Sequence, residues 1–157
     1  MEPINILLTE ENEGDIMLTS EALTQGEIVD NISMIKNGKK AIYFLKKKSP
    51  SEKVLQPHLI LLDINLSKMN GYKVLQNIKA KQQLKHIPVI MLPSLPSDKD
   101  ILMACKHFAN YYLSKAPDAD DFIKAVSSIK TFWINHVQLS LKPLCYGIFY
   151  QPAYINR

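Results

Sequence analysis

The segments INILLT at positions 4–9 and HLILLD at 58–63 are apolar almost without interruption, and turn-forming or acidic residues follow each. A strand with one face in water alternates apolar and polar residues, whereas a strand covered on both faces reads as a continuous apolar run. Two such runs call for a sheet with helices on both sides. Further candidates at 29–35, 88–92 and 110–113 supply three more strands, and apolar residues at helical spacing predict helices over 14–25, 38–48, 71–81, 97–107 and 118–136. Ile16, Leu18, Ala22 and Leu23 line the first helix, Ala41, Ile42, Phe44 and Leu45 the second, and Val74, Leu75 and Ile78 the third. Asn37 with Gly38, Asn70 with Gly71, and Ser97 with Asp98 mark boundaries by capping or turn chemistry. Five strands alternating with five helices predict an α/β fold with a doubly wound parallel sheet and right-handed crossovers.

In such a sheet ligands collect at the C-terminal edge of the strands. Glu10 and Glu11 follow the run INILLT and Asp63 closes the run HLILLD, so carboxylates from two strands are expected to converge there on one hard cation. Each has a plainer alternative. Asp63 can cap the turn that follows it, and the two glutamates can favour the positive end of a helix starting near Gly14.

Composition narrows the class. A chain of 157 residues, 46% of them hydrophobic, is the size of one domain and leaves no room for a second catalytic or DNA-binding unit. It has no apolar stretch of membrane-spanning length and no secretory signal, so a cytoplasmic protein without membrane contact is expected. The net charge of +4 gathers in part at Lys39, Lys40, Lys46, Lys47 and Lys48. No recognition helix or interleaved aromatic accompanies these lysines, so a solvated helix end is expected and no nucleic-acid partner. Cys105 and Cys145 are expected to be idle thiols.

The segments ILLTEENEGDIMLTSEAL, HLILLDINLSKMNGYKVL, IPVIMLPS and NYYLSKAPDADDF, in that order, resemble the receiver domain of two-component response regulators. DFIKAVSSIKTFWINHVQL further resembles the long last helix of single-domain regulators that partner bacterial phytochromes. The resemblance implies a flavodoxin-like (CheY-like) sheet of order 2-1-3-4-5, Mg2+ binding, and phosphoryl transfer from a sensor histidine kinase to Asp63. Residues 1–139 are then the receiver with its extended last helix, and 140–157 a tail at a dimer interface. Such a chain is a phosphoacceptor and not a turnover enzyme. Phosphoryl transfer to a carboxylate sets anion against anion, so a cation must neutralise the oxygens. Glu11, Asp63 and the main-chain carbonyl of Asn65 are the expected ligands, with Glu10 supporting through water, and Lys115 is the expected phosphoryl contact.

The chain also departs from the pattern. Glu11 stands where the family usually has the shorter aspartate, and Ala116 stands where it has proline after the lysine. Pro93 takes the place of the switch threonine or serine. Ser94 follows it, and substitutes for the missing hydroxyl only if the loop is rebuilt. Tyr112 matches the switch aromatic, the alternative being a half-exposed aromatic on an edge strand. Ser67 and Asn70, in place of proline and aspartate, are expected to be mild changes. Phe122, Phe132 and Trp133 are assigned to a homodimer interface, with Val137 and Leu139 extending the apolar surface. These departures motivate an alternative, a degenerate receiver that binds partners without phosphorylation. A flavin carrier is disfavoured because TEENEGD would repel a phosphate, and a haloacid-dehalogenase-like phosphatase because Asn65 stands where it needs a second acid.

Overall fold

The structure, a computed structural model, describes residues 4–24, 29–46, 56–93, 98–109, 111–114 and 119–136. Along the chain these form β1 (Ile4–Thr9), α1 (Glu13–Thr24), β2 (Val29–Ile35), α2 (Gly38–Lys46), β3 (Leu59–Asp63), α3 (Gly71–Ala80), β4 (Val89–Leu92), α4 (Asp98–Lys106), β5 (Tyr111–Tyr112) and α5 (Ala119–His136). The strands pair in parallel in the order β2-β1-β3-β4-β5, the flavodoxin-like order expected. Only β5 is markedly shorter than its sequence suggested, although the Leu113 N–H continues the ladder by donating to the Met91 carbonyl at 2.8 Å.

Both faces of the sheet are covered, which is why β1, β3 and β4 are buried along their whole length. Side chains alternate across a strand, so neighbouring residues join different cores. Leu7, Ile60, Leu62, Val89 and Met91 pack with Ala41, Ile42, Leu45, Val74, Leu75 and Ile78 of α2 and α3. Ile6, Leu8, Leu59, Leu61, Ile90 and Leu92 pack with Ala22 and Leu23 of α1 and Phe122 and Val126 of α5. Each fully buried Leu or Ile contributes about 1.5–3 kcal/mol by leaving water.

Asparagines start three of the helices. Asn12 Oδ1 accepts from the Asp15 N–H at 3.0 Å, Asn37 Oδ1 from Lys40 at 2.9 Å and Asn70 Oδ1 from Lys73 at 3.0 Å, each satisfying a donor that the first turn leaves open. Asn37 and Asn70 were legible as boundaries, and Asn12 was hidden among the acids around it.

Three expectations are corrected. Phe122, assigned to a dimer interface, is only 2% exposed and belongs to the core under α1 and α5, because it stands on the inward side of α5 with Val126 one turn on. Tyr112 is also 2% exposed, so it is not a half-exposed edge aromatic but a core residue beside Met91 and Ala104. Cys105 is not an idle thiol; it is disulfide-bonded, and its partner lies outside the described residues. Of the basic run, Lys39, Lys40 and Lys46 are exposed, as expected of a solvated helix.

Candidate functional site

The strand register sets the site. Thr9 of β1 lies opposite Leu62 of β3, and Asp63 opposite Leu92 of β4, so Glu10, Asp63 and Pro93 leave or end their strands at nearly one level. Adjacent strands are about 4.8 Å apart, which brings two acids to neighbouring positions at one rim of the sheet. The Glu10 N–H donates to the Ile35 carbonyl at 3.1 Å and ties the end of β2 to the same rim.

Asp63 is 3% exposed and Glu10 1% exposed, both unusually shut off for carboxylates. Glu10 Oε1 accepts the backbone N–H groups of Glu11 and Asn12, each at 3.1 Å, and so shapes the turn that carries Glu11 into α1. Glu11 is exposed, and its carboxylate reaches the β3–α3 loop. There Ser67 donates its N–H to Glu11 Oε2 at 3.2 Å and its hydroxyl to Glu11 Oε1. The Ser67 carbonyl in turn accepts from the Met69 N–H at 2.8 Å and the Gly38 N–H at 3.4 Å. One residue thus joins the loops after β1, β2 and β3. Its change from proline was expected to be mild, and it makes the contact that fixes Glu11.

Two glycines let this loop sit close to the sheet. A Cβ on Gly71 would lie 2.2 Å from the Asp63 carbonyl oxygen, and one on Gly38 would lie 2.1 Å from the Met69 carbonyl oxygen. The Gly71 N–H donates to the Ile64 carbonyl at 2.8 Å, and Lys68 turns the chain with a positive φ of 70°. Asn65, whose carbonyl was the third expected ligand, is exposed on this loop.

Pro93 directly follows β4 and is buried, with no hydroxyl to offer. Ser94, Lys115 and Ala116 lie outside the described residues, as does the tail from 137, and the side chains of Phe132 and Trp133 are not described.

Among the described residues no group of three or more His, Cys, Asp or Glu could hold a metal ion by itself. A cation at this rim would need main-chain and water oxygens besides one or two carboxylates. That donor set, all oxygen with Glu11 anchored on the loop that follows the buried Asp63, fits a hard divalent ion that keeps several waters.

Residues 6–127 match the response regulator receiver domain family. The chain belongs to that family. This receiver is 35% identical over 137 residues to response regulator Rcp1 of Synechocystis sp., a match covering 87% of this chain and 93% of Rcp1. It is 33% identical over 134 residues to the probable methanogenesis regulatory protein FilR2 of Methanothrix harundinacea, covering 85% of this chain and 86% of that protein. Among solved structures it is similar to the phosphorylated cyanobacterial phytochrome response regulator RcpA, with TM-score 0.78 and 32% identity over 85% of this chain and 95% of RcpA. It is also similar to the Mn2+-bound form of Rcp1, with TM-score 0.77 and 33% identity over 89% of this chain and 99% of that one. The receiver is accordingly a response regulator of two-component signalling, akin to those of phytochromes.

Proposed function

We propose that the receiver accepts a phosphoryl group on Asp63 from a phytochrome-like sensor histidine kinase in the cytoplasm, and signals by changing the surface through which it associates as a homodimer. The observation that carries this is the burial of Asp63 at the strand edge, level with Glu10 and next to the loop that anchors Glu11. The likeness to Rcp1 and RcpA supports the class of kinase, and the Mn2+-bound Rcp1 supports a divalent ion, here Mg2+. No described helix is long and apolar enough to cross a membrane.

In the transfer, one carboxylate oxygen of Asp63 forms the new P–O bond while the donor's bond to phosphorus breaks and its electron pair leaves with the donor. A bound Mg2+ would supply the positive charge that two meeting anions require. Glu11 and Asp63 would hold it with the Asn65 carbonyl, and Glu10 would keep the loop in shape through its two N–H bonds. Lys115 would pair with the transferred group. The chain releases no substrate and is a phosphoacceptor rather than an enzyme of turnover.

A phosphate-affinity gel after acetyl phosphate treatment tests this. Wild type is expected to shift with Mg2+ and not without it, and Asp63→Asn not at all. A wild type as inert as the variant would discard the relay. Pro93, which carries no switch hydroxyl at the end of β4, would then favour a docking module that works without phosphate.

A further inference from the structure

We propose that Ser67 is a positioning residue for the cation site: it holds the Glu11 carboxylate where that group can serve a divalent ion beside Asp63. The inference deepens the function proposed above and rests on it.

Glu11 is exposed, and an unrestrained glutamate must give up roughly 1.5–2 kcal/mol of rotamer freedom to stand in one pose. Ser67 removes most of that freedom. Its N–H donates to one oxygen of the carboxylate and its hydroxyl to the other, so both ends of the group are fixed by a single residue. Ser67 is itself held, since its carbonyl accepts from Gly38 and Met69, and the loop closes on Ile64 through the Gly71 N–H. A carboxylate has about four lone-pair sites and Ser67 takes two, one on each oxygen. The bonds to Ser67 therefore orient Glu11 without consuming its capacity to bind an ion. Partners that orient a metal-binding carboxylate in this way typically account for 10–100-fold in affinity.

Mn2+ affinity of the full chain, measured by titration calorimetry and by the electron paramagnetic resonance of the free ion, tests the inference. Ser67→Ala, which keeps the N–H and loses the hydroxyl, is expected to weaken binding about tenfold, and Ser67→Thr to restore most of it. In a Glu11→Gln background the added Ser67→Ala change is expected to do nothing further. Metal-free melting curves of the same proteins separate affinity from stability. Unchanged or tighter binding by Ser67→Ala would overturn the proposal, as would an equal loss with Glu11→Gln already present. If instead wild type binds no Mn2+, or Glu11→Gln and Asp63→Asn bind as wild type does, the cation site itself fails, and the role of Ser67 with it.

Discussion

Lys79 shows how one side chain can trade charge for position. Its Nζ donates to the Lys85 carbonyl at 3.2 Å and the Ile87 carbonyl at 3.0 Å, fastening the connection between α3 and β4. Removal from water lowers its pKa from 10.5 to about 8. The folded chain therefore releases this proton near pH 8, whereas the unfolded chain keeps it until about 10.5. Between those values the unfolded state binds more protons, so stability rises with pH. Relative to Lys79→Met, wild type is expected to gain about 2 kcal/mol between pH 8 and pH 10, read from urea unfolding at each pH. A difference that stays flat or falls would show that the ammonium is not desolvated. The surface pair Lys36–Glu13, with its two side chains 60% and 71% exposed, is expected to contribute little by comparison.

At the scale of elements, the turn into α3 is where local chemistry and site geometry meet. Asn70 caps the helix, and Asn70→Ala is expected to cost about 1 kcal/mol by leaving the Lys73 N–H unmet. Gly71→Ala adds a methyl that would stand 2.2 Å from the Asp63 carbonyl oxygen, so either the helix or the acceptor strand must move. It is expected to cost more than the cap and also to slow phosphorylation of Asp63, whereas Asn70→Ala slows it little; thermal melts and acetyl phosphate time courses separate the two. Element boundaries were legible because they are written in neighbours: an asparagine and the glycine after it, or an apolar run and the acid that ends it. The contact of Ser67 with Glu11 was not legible. It joins residues 56 positions apart, and nothing near either of them in the chain announces the other.

For the molecule as a whole, the order of the sheet came with the resemblance to receiver domains, while the alternation of runs and helices called for parallel strands with helices on both faces. The acids at its rim were legible for the same reason. Which aromatic faces inward was not, because Phe122 and its neighbours in α5 differ by rotation about one helix axis. With Phe122 taken into the core, Phe132 and Trp133 are the aromatics that remain of the interface expected for the proposed homodimer. Light scattering after gel filtration is expected to give twice the mass of one chain, and exchange of both aromatics for glutamate to halve it. A wild-type mass of one chain would remove the dimer from the proposal.

The two glycine seats and the clasp at Ser67 leave the segment between Asp63 and Gly71 with a single workable length. Insertions or deletions arising there during descent would pull three connections apart together. This stretch thus acts as a ruler of set length between the acceptor and the helix that follows it.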